Sequence, residues 1–172
     1  MGTRGLTVIK IDGEIKVAQY GQWDHRPDGQ GTDILELLRG IIESGELEAF
    51  KTKVKALNWL TEDQITKMNE DGEPLIKHPY LSRDCGGKII QAIHYGVLTV
   101  GSNFLGKKDI PVNIIGLQDE SAFAEDGLFC EGIFTIDLDA GTYTACGQTF
   151  ELSALPTEED FLARFETEEE ED

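Results

Sequence analysis

Leu6-Thr7-Val8-Ile9-Lys10-Ile11-Asp12-Gly13-Glu14-Ile15-Lys16-Val17-Ala18-Gln19-Tyr20 is the stretch whose reading decides the fold. Leu6 to Ile11 has the β-branched content of a strand. Asp12-Gly13 is a pair that favours a tight turn, and Ile15 to Tyr20 reads as the returning strand. The chain therefore opens on a hairpin. Near its other end, Cys130 to Leu138 and Thr142 to Phe150 predict a second hairpin around Asp139-Ala140-Gly141. In the first of these strands Phe134, Ile136 and Leu138 alternate with Thr135 and Asp137, as in a half-buried strand.

Helical spacing fills the interval between the hairpins. Ile34, Leu35, Leu38, Ile41 and Ile42 share one face of a helix that Thr32 or Asp33 caps and Ser44-Gly45 stops. Leu47, Phe50, Val54 and Leu57 predict a second helix. Thr61-Glu62-Asp63-Gln64 predicts a cap and an acidic first turn for a short third one, with Ile65 and Met68 on its apolar side. It ends at Asp71-Gly72-Glu73-Pro74. Ser82-Arg83-Asp84 opens a fourth helix reaching about Tyr95, unless Gly86-Gly87 delays its start. Those two glycines also suit close approach by another backbone or a ligand. Val97 to Val100 and Val112 to Leu117 are strand candidates separated by a loop, Gly101 to Pro111. A last helix begins after Pro156 and carries Phe161, Leu162 and Phe165 on one side. Hairpin, helices, hairpin predicts an α+β fold. Its antiparallel sheet combines the N- and C-terminal hairpins and packs against four to five helices. Residues 1–166 form one domain, and the acidic segment from Thr167 to Asp172 lacks the apolar residues that would order it.

Composition narrows the function classes. The net charge is −18, and Thr157 to Asp172 alone carries nine acids against Arg164. Phosphate binding needs a cationic face, so direct contact with nucleic acid is disfavoured and a basic protein partner is favoured. There is no apolar run of transmembrane length and no signal-peptide pattern at the start. The expectation is a cytoplasmic protein without membrane contact. Cys85, Cys130 and Cys146 are an odd number without metal-ligand spacing, which predicts free thiols and no metal site. His25, His78 and His94 fall on different elements, with His94 near a helix end where a cation is comfortable. Gly86-Gly87 apart, ligand-contacting residue types concentrate between Tyr20 and Gly31. A glycine-bearing loop there feeds a helix N-terminus, an arrangement that suits an anion. Tyr20 and Trp23 could stack a ring, while Arg4, Gln22, Asp24, Arg26 and Gln30 supply polar contacts. A nucleotide-like small molecule is the ligand class that fits. The spacing matches neither dinucleotide nor P-loop fingerprints, and no cofactor follows from it.

Met1-Gly2-Thr3-Arg4 is similar to the opening of the choloylglycine hydrolases, whose N-terminal nucleophile occupies the position of Gly2 here. Glycine offers no nucleophile. The resemblance implies a layered N-terminal-nucleophile-type sandwich without that chemistry, and hydrolysis would need Thr3 exposed by a further cleavage. Met1-Gly2-Thr3-Arg4-Gly5, Ala18-Gln19-Tyr20-Gly21-Gln22-Trp23-Asp24, Pro27-x-Gly29-Gln30-Gly31 and Leu128-Phe129-Cys130-Glu131 before Phe134-Thr135-Ile136-Asp137-Leu138-Asp139 together resemble a second group. It consists of small proteins of bacteria, bacteriophages and prophages, which often carry an aromatic residue where Arg26 stands. That resemblance implies an accessory, non-enzymatic role: occupying a host or defence macromolecule.

Overall fold

The computed structural model describes residues 4–21, 25–70, 86–102, 104, 106–112, 114, 117, 121–125, 130 and 132–170. Strands β1 (Gly5–Ile11) and β2 (Glu14–Gly21) form the opening hairpin, with Asp12 and Gly13 both at positive φ in the turn. The carboxylate of Asp139 accepts both turn N–H groups, each at 2.8 Å. Those two bonds hold the Asp139 carboxyl below the usual carboxylate range. A π-helical turn, Pro27–Gly31, runs without a break into helix α1 (Thr32–Glu43). Then follow α2 (Leu47–Lys55), α3 (Glu62–Glu70), a 3₁₀ turn at Gly86–Lys88 and α4 (Ile89–Tyr95). Thr61 and Gln64 close the expected capping box on α3: each side-chain oxygen accepts the other's backbone N–H.

Strands β3 (Val97–Ser102) and β4 (Gly106–Pro111) make a separate two-stranded ribbon. Gln91 fastens it to α4, its amide donating to Thr99 Oγ1 and accepting from Thr99 N. After a 3₁₀ turn at Ser121–Glu125 come β5 (Gly132–Asp137), β6 (Thr142–Ala145), β7 (Gln148–Glu151) and α5 (Glu158–Glu170). The main sheet has the order β2-β1-β5-β6-β7. The fold is α+β. Among the described residues no helix is long and apolar enough to cross a membrane.

Four expectations change, and one open alternative is decided. The sheet is mixed, not antiparallel: β1 and β5 join the two hairpins in parallel, Gly5 beside Gly132 through Lys10 beside Asp137. Nearly all of β1 is buried. Apolar residues on both of its faces suit a central strand, which a parallel neighbour can flank. Thr142 to Phe150 is two strands, because Cys146 and Gly147 take positive φ and turn the chain. The strand paired with β3 is Gly106–Pro111, inside the expected loop. Residues 106–109 are exposed, so no burial forces an apolar alternation on them and the usual strand signal is missing. Leu117 makes an isolated parallel bridge with Trp59. The α4 region begins after its glycines, as the alternative start required. Finally, α5 continues to Glu170, into the acidic segment expected to be unstructured. The start at Ser82, the end of α3 at Asp71, and His78 and Cys85 lie outside the described residues; Cys130 and Cys146 are both partly buried. The β3–β4 ribbon packs on α4, so the described residues show one main sheet and not two stacked sheets.

The main core cluster lies on one face of the main sheet, and Leu6, Val8 and Ala18 are buried on the other. In the main cluster Ile9, Ile11, Val17, Phe134, Ile136, Tyr143 and Phe150 pack against Ile34, Leu35, Leu38 and Ile41 of α1, Phe50 and Val54 of α2, Ile89 and Ile90 of α4, and Phe161 of α5. Each of these helices is placed by its expected apolar face. Tyr143 lies stacked with Phe161 at 6.1 Å and donates its hydroxyl to the Gly31 carbonyl at 2.8 Å. That burial pushes the Tyr143 phenol well above its usual range.

Candidate functional site

Three glycines form a row across three neighbouring strands at one end of the sheet: Gly21 beside Gly5 in β2–β1, and Gly5 beside Gly132 in β1–β5. The His25 side chain lies against this row. A Cβ on Gly5 would stand 2.6 Å from His25 Cδ2 and overlap the Gly132 carbonyl oxygen, and one on Gly132 would overlap the His25 carbonyl oxygen. His25 is buried, with its ring 5.9 Å from that of Phe134. Gln30 closes the same region: its Oε1 accepts the buried Gly87 N–H at 2.9 Å. Gly87 also stands too close to Ile34 and Gln30 for a Cβ to fit without a shift. The glycines at 86–87 thus admit neighbouring side chains, which explains their presence without a ligand.

The residues expected to bind a ligand are distributed over different surroundings. Gln30 is interior. Tyr20 pairs with Leu6, so alternation puts its side chain on the sheet face opposite the one that carries Gly5 and Gly21. Arg4 is half-buried just before β1. Gln22, Trp23 and Asp24 lie outside the described residues. The helix N-terminus is not open as expected: Gly29 N and Gly31 N both donate to the Arg26 carbonyl, and Thr32 N donates to Gly29. Thr32 Oγ1 donates to the Gly29 carbonyl at 3.0 Å, and Thr32 and Asp33 both lie inside α1, whose N-cap position is Gly31 with no side-chain cap bond.

Arg26 remains on the surface, and it borders a groove of about 410 Å³ between the π-helical turn and α5. Pro27, Leu162 and Phe165 supply apolar walls; Asp28 and Glu166 supply carboxylates. Arg26 Nε stands 3.7 Å from Asp28, and both side chains are mostly exposed, which leaves a weak pair that a stronger partner can replace. Phe161 anchors α5 in the core, 5.2 Å from Phe165, so the groove's aromatic wall is tied to the sheet. A second groove of about 350 Å³ follows the other flank of α5, beside Phe150, Pro156, Asp160 and Arg164. Arg164 is engaged there, donating to Gln148 at 2.7 Å and lying 4.9 Å over the Phe150 ring. Helix α5 therefore carries four exposed acids, Glu158, Glu159, Asp160 and Glu166, with Glu166 lining one channel and Asp160 the other. The sequence had marked Leu162 and Phe165 only as docking residues. Their i, i+3 spacing with Glu166 alongside was the available signal, but which side of them stays open depends on Pro27 and Asp28, far away in sequence.

One further titratable pair stands apart. The Nε2 atom of His94, near the end of α4, is 2.7 Å from Glu46 Oε1 in the α1–α2 connection. The His94 ring packs edge-on against Phe50 and Tyr95. The bond to His94 lowers the Glu46 carboxyl from its usual range. The described residues contain no cluster of three or more His, Cys, Asp or Glu able to hold a metal ion. No family model, curated protein or solved structure matches this chain.

Proposed function

We propose that this chain is a non-enzymatic binding protein that engages a basic protein partner through the groove between the Pro27–Gly31 turn and α5. The observation that supports this reading is the combination of an apolar floor, Pro27, Leu162 and Phe165, with the carboxylates of Asp28 and Glu166 at its edge. Apolar floors supply affinity, and surrounding charge supplies steering and selectivity. The acids on α5 extend the same field, and a net charge of −18 raises the rate of encounter with a cationic partner. The resemblance of the opening motifs to small bacterial and bacteriophage proteins supports a cytoplasmic host or defence macromolecule as that partner.

The test compares capture from nuclease-treated bacterial lysate by the wild-type protein and by an Asp28→Lys/Glu166→Lys variant. A basic protein retained by the wild type at low salt, released at high salt and lost by the variant is the expected result. An identical captured set for both proteins would remove the groove from the function.

A further inference from the structure

One described apolar side chain is displayed as completely as a side chain can be. Phe104, at the tip of the β3–β4 ribbon, is 94% exposed. The ribbon returns at Gly106, whose φ of +90° a side chain would strain. Lys107 and Lys108 follow directly, both exposed. Neighbouring strand residues point to opposite faces, so these two cations leave the ribbon on either side of the aromatic tip. Of the exposed large hydrophobic residues, Ile15 at 37% and Tyr95 at 46% are partly covered; Phe104 is not. In a chain this acidic, an aromatic tip bracketed by two lysines is a local reversal of charge.

The groove beside α5 has the complementary features: an apolar floor between two elements, and two carboxylates, Asp28 and Glu166, against one cation, Arg26, whose weak pair with Asp28 an incoming lysine replaces. We propose that the groove takes the β3–β4 tip of a second copy of this chain. Phe104 lies on Pro27, Leu162 and Phe165, and Lys107 and Lys108 straddle toward Asp28 and Glu166. The inference rests on the groove being the docking site proposed above, and it specifies the kind of segment that the groove accepts. Tip and groove are different surfaces, so the contact is heterologous: each copy gives a tip to one neighbour and a groove to another. Such contacts propagate into rings or open chains instead of stopping at a symmetric dimer. A large apolar side chain seated in a pocket supplies most of the energy of such a contact, and the rim charges supply its orientation. The area is small, so association is weak and reversible.

Sedimentation velocity on the full chain, from about 1 µM to about 500 µM, tests this in the range where weak interfaces assemble. The wild type is expected to form a concentration-dependent series beyond the dimer. Phe104→Ala and Asp28→Lys/Glu166→Lys are each expected to weaken it at least about tenfold. All these positions are exposed, and unchanged thermal unfolding verifies that the variants are folded. Mixing the two variants is the decisive arm. One retains a groove and the other a tip, so together they should give a 1:1 complex that grows no further. A wild type that stays monomeric throughout overturns the inference, as does Phe104→Ala self-association equal to wild type or a mixture that forms no complex. If the groove variant loses a basic lysate partner while the wild type remains monomeric, the inference falls and the proposed function stands.

Discussion

The glycine-lined end of the sheet and the groove beside α5 use residues that look, in sequence, suited to each other's role. Between Gly21 and Gly31 the chain is dense in glycine and polar side chains, the composition of a ligand loop. In the structure much of that composition goes into packing: His25 occupies the space over Gly5, Gly21 and Gly132, and Gln30 satisfies Gly87 N. The C-terminal helix reads in sequence as a docking element, with Phe161, Leu162 and Phe165 on one side and acids that only solvate. Phe161 does enter the core, but Leu162, Phe165 and Glu166 are left beside an open channel. Glycine content reports that something approaches the backbone closely, and that something can be the protein itself.

The two regions should therefore respond oppositely to substitution. The largest effect is expected for Gly5→Ala. Its methyl has no room, because what it meets is the Gly132 carbonyl and the buried His25 ring, neither of which can swing away. A loss of more than about 4 kcal/mol, or failure to fold, is expected in chemical denaturation. Gly40→Ala is the internal control. A Cβ there meets nothing within 4 Å in the middle of α1, so helix propensity alone predicts a gain of up to about 1 kcal/mol. A tolerated Gly5→Ala would show that the row is loosely packed and could still receive a ligand.

Gln30→Ala comes next. It strands the buried Gly87 N–H, at a cost of about 1–3 kcal/mol in equilibrium unfolding. A neutral result would return Gln30 to the list of ligand contacts.

Asp139→Asn probes the anchor between the two hairpins, and its readout is pH. The folded Asp139 pKa is lowered, with bonds from Gly13 N and Asp12 N as the leading causes. The carboxylate's contribution is therefore present above the unfolded aspartate pKa and is lost as pH falls through the folded value. Wild-type stability should decline across that acidic window, and the variant should decline less steeply. Glu46, lowered chiefly by its bond to His94, adds a slope of the same sign that Asp139→Asn leaves in place. Identical pH slopes in the two proteins would mean that the Asp139 carboxylate charge is not what holds the turn.

The smallest effect is expected at the groove. Arg26→Ala removes only an exposed pair with Asp28, and melting should move by no more than about 0.5 kcal/mol equivalent while partner capture changes. A large stability loss would make the groove a structural joint, and the contrast between the two regions would disappear.

Local physics made much of the fold legible in the sequence. Asp12-Gly13 gives its turn because its left-handed geometry suits aspartate and glycine. Thr61 and Gln64 close a box over three residues, and the apolar faces of α1 and α2 follow helical period. The charge and its concentration after Thr157 need no structure at all. The parallel join of β1 to β5, the His25 ring over three glycines, the ribbon strand Gly106–Pro111 and the open flank of α5 were decided by tertiary structure. Turn propensity and periodicity act over a few residues, so they fix elements. Asp139 reaches Asp12 across 127 positions, and whether a cleft is filled or left open depends on contacts at that separation, which no local pattern encodes.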